Sequence, residues 1–386
     1  MTRRIGRPIG AVRLVAATAL AVTLAGLSAV HAQQGASPVV PASPDTANDV
    51  RRRTPAERLQ RTRSAMQRAL FSSDEQIPVT LIADFKAVNR DRDVESTTVF
   101  PATIVVPALN GGEDRIAVNI RTRGHSRRAA NTCTFAPLRI EFTGTMDGTV
   151  FEGHKSLKLG THCRDVDSYE QYVYREFAAY KIFNRMTARS FRARLSTATY
   201  VDISNNTPIA TRAGLFLEDD DDVAKRLDGE LSELQNLSFG HVDGESMMLL
   251  SLFEYMIGNT DMSLAKRHNI ILVRATNGTV YPVPYDFDYS GLVNARYAVP
   301  AKVLNLTTVR ERLYRGPCLT EENLTPFLTR MRGMRDAVMA VYDQVPHLDA
   351  GDRKDARGYL DQFFKIIEKP GDAKRAFIDG CKRATM

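Results

Sequence analysis

No CxxC pair and no HExxH run occurs in this chain, so the common zinc architectures find no ligand spacing in it. There is no GxxxxGK(S/T) loop and no GxSxG elbow, which removes a P-loop nucleotide site and an α/β-hydrolase nucleophile. Beyond residue 32 no stretch is long and apolar enough to cross a bilayer, and no internal repeat is visible. No segment interleaves aromatic and basic residues as nucleic-acid modules do, so no nucleic-acid partner is expected. The formal charge of +7 includes the basic residues of the N-terminus and of Arg51, Arg52 and Arg53, and the rest reads as a solvated basic face.

What is present begins with the N-terminus. Arg3, Arg4 and Arg7 precede an apolar run from Leu14 to Val30 that ends in Val30-His31-Ala32. That is the pattern of a signal peptide spanning residues 1–32, cut after Ala32. The alternative, an uncleaved anchor, has only about 17 apolar residues to span with, at the short limit for a helix. Export to the periplasm or the medium is the expectation, with no membrane association beyond the signal. Residues 33–53, rich in Pro, Ala and Ser, read as a flexible linker, and the folded part begins near Thr54.

Export gives the four cysteines a meaning, because disulfides persist outside the cytoplasm. Cys133 and Cys163 sit in neighbouring strand-like segments, and Cys318 and Cys381 bracket the C-terminal helices. Pairing Cys133 with Cys163 and Cys318 with Cys381 is favoured among the three possible connectivities. Loops of this length stabilise by roughly 3 to 4 kcal/mol each in the chain-entropy model.

At 386 residues, 43% hydrophobic and 25% charged, the chain has an ordinary globular composition and room for one large domain or two lobes. Thr54-Pro55 starts a helix through "AERLQRTRSAMQRALF", with Leu59, Met66 and Leu70 on one side. Five β-branched runs then follow between residues 77 and 160, an antiparallel β-rich lobe. A helix is expected over 168–184, and "RLSTATYVDI" and "AGLFLED" resume strand character around a "SNN" turn. The second half is mostly helical. "ESMMLLSLFEYMIG" over 245–258 is apolar nearly all round, a buried helix ended by Gly258. After one hairpin come segments near 307–314, 320–344, 350–368 and 372–381. The whole suggests an α+β bilobal plan, a β-rich N-lobe near 77–219 and a mainly helical C-lobe near 220–386.

That hairpin carries the chemistry. In "HNIILVRATNGTVYPVPYDFD", Asn277-Gly278 between two β-branched runs predicts a two-residue turn, since both turn positions need positive φ. Thr276 would then pair with Thr279 and Asn269 would lie opposite Asp286, with Cβ atoms about 5 Å apart. An amide oxygen and a carboxylate so placed suit Mg²⁺, which takes one or two protein carboxylates and leaves its other positions to water and phosphate. Asp261, in the loop that joins the buried helix to the hairpin, brings a third oxygen donor, with Asp288 close behind. A lone "DFD" more often braces a turn, but the matched register and the third acid point to a metal-and-phosphate site.

These residues resemble the CotH-like family, named for the spore-coat kinase, whose fold is a divergent relative of protein kinases. The resemblance spans about residues 77–295 and rests on "IRTRGHSRR" at 120–128, "PLRIEF" at 137–142, "AGLFLED" at 213–219, "GNTDMSLAKRHNIIL" at 258–272 and "PVPYDFDYSG" at 282–291. It implies a protein-kinase-like fold and an ATP-dependent phosphotransferase that uses Mg²⁺ or Mn²⁺. It implies that Asp261 orients the attacking hydroxyl, although "NTD" stands where kinases have "HRD". Asn269 and Asp286 resemble the metal-binding pair, Asn269 eight residues after Asp261 instead of five, with Asp288 where the glycine of "DFG" would be. Lys158, held by Glu176 of the following helix, matches the phosphate-binding lysine, and Arg139 competes for that place. No GxGxxG loop exists; the turn with Arg123, Gly124 and Ser126 resembles the family segment that covers phosphates, and Glu218 falls at the hinge beside the adenine. Asp219 to Asp222 read as a solvated acidic loop. His162 and His268 are read as structural.

The implied acceptor is a Ser or Thr hydroxyl of a protein. Two other classes stay open: a secreted binding or structural protein that keeps the fold without turnover, and a metal-dependent hydrolase built on Asp261, Asp286 and Asp288. Nucleotide binding separates kinase from hydrolase, and turnover separates kinase from binding protein.

Overall fold

The computed structural model describes residues 53–381, so the expected signal peptide and nearly all of the linker lie outside the described residues. Thr54 begins the fold with a reciprocal cap, its hydroxyl accepting from the Glu57 N–H while the Glu57 carboxylate accepts from the Thr54 N–H, and Pro55 takes the first position of helix α1 (Pro55–Met66). The expected apolar face of this helix is not what docks it: Leu59 and Met66 are exposed, and Arg58 reaches Asp228 at 3.1 Å while the Thr62 hydroxyl donates to the Lys225 carbonyl at 2.9 Å.

All five expected runs form strands, β1 (Ile77–Ala83), β2 (Phe100–Pro107), β3 (Glu113–Thr122), β4 (Leu138–Phe142) and β5 (Ser156–Gly160), joined by β6 (Ala193–Asp202) and β7 (Thr207–Leu217). They close into a barrel in the order β1-β2-β3-β4-β5-β7-β6, the last contact being a parallel pairing of β6 with β1. Closure leaves no strand edge. Alternate side chains fill the interior, among them Leu81, Ile104, Ile120, Ile140, Leu159, Tyr200 and Phe216, each essentially without exposure.

Helix α2 (Asp167–Met186) crosses outside β6 and β7 and buries Phe177, Tyr180, Ile182 and Phe183 into a second hydrophobic cluster. That cluster also takes Leu195, Leu215 and Leu217 from the strands, helix α4 (Gly244–Ile257) and the C-terminal helices α5 (Glu321–Gly333), α6 (Arg335–Gln344) and α7 (Ala350–Glu368). Helix α3 (Asp220–Arg226) links the barrel to it, followed by a three-stranded sheet of β8 (Gly229–Leu231), β9 (Ile270–Ala275) and β10 (Val280–Pro284). The fold is thus mixed α+β, a closed seven-stranded barrel beside a helical layer with a small sheet.

Helix α4 is buried along its length from Ser246 to Ile257 and stops at Gly258, whose φ of +67° closes the C-cap. Only glycine fits there, because a Cβ would lie 1.9 Å from the Tyr359 hydroxyl. The segment 307–314 is not helical, and the run expected over 320–344 is two helices that meet at Met334. The expected segment 372–381 is helical, beginning within a short helix, Pro370–Lys374, that continues as a π-helix over Arg375–Asp379.

The cysteines pair as expected, Cys133 with Cys163 and Cys318 with Cys381, at Cα separations of 4.6 and 5.4 Å. Among the described residues no helix is long and apolar enough to cross a membrane. Both facts are compatible with an exported protein.

Candidate phosphate and metal cleft

The hairpin register differs from the expected one by a residue. Ala275 donates to the Thr279 carbonyl at 2.9 Å, so the loop is the three residues Thr276, Asn277 and Gly278, and only Gly278 has positive φ. Val280 pairs with Arg274 and Pro284 with Ile270, and the Tyr285 N–H donates to the Asn269 carbonyl at 3.0 Å. Asn269 therefore opposes Tyr285, not Asp286, and a one-residue slip turns side chains to the other face. What brings the two side chains back together is local backbone: Asn269 and Asp286 are both left-handed, with φ of +55° and +66°. Each has left the strand alternation, and both line one cleft of about 220 Å³.

Asp261 reaches the same cleft from the loop after α4. Asn259 accepts from the Asp261 N–H at 3.0 Å, and Arg315 donates to the Thr260 carbonyl and, at 3.1 Å, to that of Met262. The extra residues between Asp261 and Asn269 are taken up by a tight reversal in which Ser263 and His268 exchange backbone hydrogen bonds of 3.0 and 2.9 Å. Asn269 is thereby returned to Asp261, and its Nδ2 donates to the Asp261 carboxylate at 3.1 Å and carbonyl at 3.2 Å. With that nitrogen occupied, the amide oxygen of Asn269 is left for an ion.

The Asp286 carboxylate accepts no hydrogen bond among the described residues, while its N–H donates to the Tyr180 hydroxyl at 2.8 Å. Asp288 is 4% exposed and takes hydrogen bonds from the Tyr297 hydroxyl at 3.1 Å and from Arg127 at 3.4 Å. Burial, and then the neighbouring Asp286 charge, push its carboxyl up to about 7. Glu176 of α2 is buried behind them and held well above the usual carboxylate range, by burial first and then by Asp288 and Asp286, with Arg127 and Arg123 opposing. Such an excess of buried carboxylate is what a divalent cation relieves. Among the described residues no three His, Cys, Asp or Glu side chains converge into a closed cage. A phosphate-bearing Mg²⁺ or Mn²⁺ needs fewer protein ligands, and Asp286, Asp288 and the Asn269 oxygen fit that donor set.

Across the cleft lies the turn after β3. Gly124 has φ of +82°, and Arg123, Gly124 and Ser126 all line the cavity. The Arg123 side chain has no hydrogen-bond or ion-pair partner among the described residues, so a guanidinium faces the acidic wall unspent.

Three expected site residues lie elsewhere. Lys158 does not meet Glu176: it is hydrogen-bonded to Asp220 at the start of α3, with its ammonium 4.7 Å from the Tyr285 ring centroid and 5.4 Å from that of Phe191. Arg139, directly opposite Lys158 across β4 and β5, donates to the Ser156 hydroxyl at 2.6 Å. Glu218 is not free to meet an adenine, because its fully buried carboxylate accepts from Arg192 N, Nε and Nη2 and from Arg226 Nε and Nη2 at 2.8 to 3.0 Å. Nor do the following acids form a solvated loop: Asp219 caps α3, and Asp222 is 2% exposed and held by Arg68 at 2.7 Å.

The cleft also contains Arg127, which the sequence did not single out, and His268, which was read as structural. Arg127 is 7% exposed between Asp288 and Tyr297, and His268 Nε2 lies 3.3 Å from the Asp261 carboxylate, which raises the imidazole above its ordinary value. A lone Arg among the four of "RTRGHSRR" carries no signal of its own; the histidine next to Asn269 did, since it sits one residue from an assigned ligand.

An α+β protein with an acidic, arginine-faced cleft at the end of a hairpin is the class that fold and site define. No family model and no curated protein matches the chain. Among solved structures it is similar to the Helicobacter pylori proinflammatory kinase CtkA, with 12% identity and a TM-score of 0.33 over 65% of this chain and 91% of that one. The likeness is distant, and the reading of the cleft rests on its own residues.

Proposed function

We propose that this protein is an exported, kinase-like phosphotransferase of bilobal plan that uses ATP with Mg²⁺ or Mn²⁺ and transfers phosphate to a Ser or Thr hydroxyl of a protein. The observation that carries it is the convergence of Asp261, Asn269, Asp286 and Asp288, from two separate loops, on a cleft whose opposite wall presents the unpartnered Arg123. About 220 Å³ is room for phosphates and an ion, less than a whole nucleotide fills.

In this reading Asp286, Asp288 and Asn269 would hold the cation, which when bound would supply positive charge against the phosphates. Asp261, half-exposed at the rim and steadied by Asn269, accepts the hydrogen bond of the acceptor hydroxyl and orients it for attack. Arg123 and the backbone at Gly124 and Ser126 face the phosphates from the barrel side, so catalysis is positioning and electrostatics. The binding-protein reading draws on one observation, the commitment of Lys158 to Asp220.

Transfer of labelled γ-phosphate to the protein itself and to a mixed Ser/Thr peptide library, with Mn²⁺, tests the proposal. Asp261→Ala should lower transfer by at least about 100-fold while ATP still binds, the scale of a lost general base. Binding without transfer in the wild type would favour the binding protein, and metal-dependent hydrolysis without nucleotide selectivity would favour the hydrolase.

A further inference from the structure

We propose that Arg127, set between Asp288 and Tyr297, is the cation that meets the nucleotide's phosphates, in the place the sequence assigns to Lys158; this rests on the phosphotransferase reading. Arg127 is 7% exposed, with Asp288 at 3.4 Å and the Tyr297 ring beside it. It lines the cleft together with Asp261, Asn269 and Asp286, whereas Lys158 does not.

The donors of Arg127 are only partly used. One terminal nitrogen donates to the Thr161 carbonyl, the other reaches Asp288 at the long distance of 3.4 Å, and Nε is buried with no partner. The guanidinium lies 5.5 Å from the centroid of the Tyr297 ring, whose hydroxyl bonds the same Asp288. A planar guanidinium matches phosphate oxygens in pairs, and unlike an ammonium it stays charged when buried. Lys158 is placed worse on both counts: burial holds its ammonium below its ordinary value, and its contact is already made with Asp220.

The order of elements allows this exchange. Arg127 comes from the helical turn Ser126–Arg128 directly after β3, next to the phosphate-facing Gly124, so one short segment supplies the turn and the cation. Lys158 enters from β5, on the side of the barrel where α3 begins.

Titrating the full chain with ATP plus Mn²⁺, and separately with adenosine and with Mn²⁺ alone, decides the matter. Arg127→Met should weaken ATP plus Mn²⁺ at least about 10-fold, the loss of one charge-assisted hydrogen bond, and leave adenosine affinity unchanged. Lys158→Met should change ATP affinity less than about 3-fold, a difference under about 0.7 kcal/mol. Should Arg127→Met fail to fold, Arg127→Lys keeps the charge without the fork and should still lose ATP affinity while it binds Mn²⁺ as the wild type does. ATP affinity that survives in both Arg127 variants and falls in Lys158→Met overturns the assignment and leaves the phosphotransferase reading standing. A wild-type protein that binds no nucleotide overturns both.

Discussion

Replacing Glu218 separates a hinge role from a structural one. Its carboxylate is fully buried and accepts five hydrogen bonds from Arg192 and Arg226, whose side chains are 21% and 11% exposed. Glu218→Ala leaves two guanidinium groups facing each other without their counter-ion, and removing one partner of such a pair costs about 3 to 5 kcal/mol. Both arginines keep carbonyl partners, Arg192 at Ala65 and Met66 and Arg226 at Ala188, which places the cost near the lower end, about 3 kcal/mol. An unfolding entropy of about 2.1 cal/mol/K per residue over roughly 330 residues converts this to a fall in Tm of about 4 °C. Differential scanning calorimetry reads that shift, and ATP titration of the folded variant should show unchanged affinity. A variant as stable as the wild type that has lost nucleotide affinity would refute the clamp and restore Glu218 to an adenine site.

Two further outcomes are expected. Non-reducing peptide mapping should return Cys133 linked to Cys163 and Cys318 linked to Cys381, and reduction should cost roughly 3 to 4 kcal/mol per bridge; four free thiols in protein purified from the exported fraction would contradict both pairing and compartment. His162 is fully buried against Phe135, and burial holds its imidazole down to about 3, against an ordinary 6.5. The unfolded chain takes a proton there first, so His162 leaves stability intact above pH 6.5 and removes it as pH falls from 6.5 toward 3. At pH 5 the penalty is about 2 kcal/mol, and His162→Phe should abolish that part of the acid slope in urea titrations at pH 7 and pH 5. An identical slope in the variant would show that His162 does not titrate as its burial demands.

Much of the architecture was legible because its signals are local. The five strands from Ile77 to Gly160 announce themselves by β-branched runs, and α4 by an unbroken apolar stretch that ends in glycine. Barrel closure was not, because β1 and β6 pair in parallel across more than a hundred residues and nothing local encodes that contact. The acids of the hairpin reached one cleft, but by a route other than the expected register. A two-residue and a three-residue loop share the same Asn-Gly signature, and the left-handed backbone at Asn269 and Asp286 has no sequence mark beyond residue types that tolerate it.

The barrel side of the site was the least legible for a physical reason. A buried lysine takes whichever carboxylate the fold delivers, and the fold delivers Asp220 from the start of α3 where the pattern suggested Glu176 from α2. Glu218 shows the same effect, since the arginines that claim it come from the start of β6 and from α3, and neither neighbour could be inferred from spacing. Ion pairing between distant segments is a tertiary property, and it decides which charged residues remain free for a ligand.

Thermal unfolding of the protein with and without ATP plus Mn²⁺, beside Asp286→Ala, reads out whether Asp286 holds a metal ion for a nucleotide. Ligand at 100 times its Kd stabilises the folded state by about 2.7 kcal/mol. With the same unfolding entropy that is a rise in Tm of about 4 °C, dependent on the metal and lost in Asp286→Ala, whose own Tm should stay near that of the apo wild type. An equal rise in the variant would contradict the metal assignment, and no rise in the wild type at saturating ligand would contradict the nucleotide site itself.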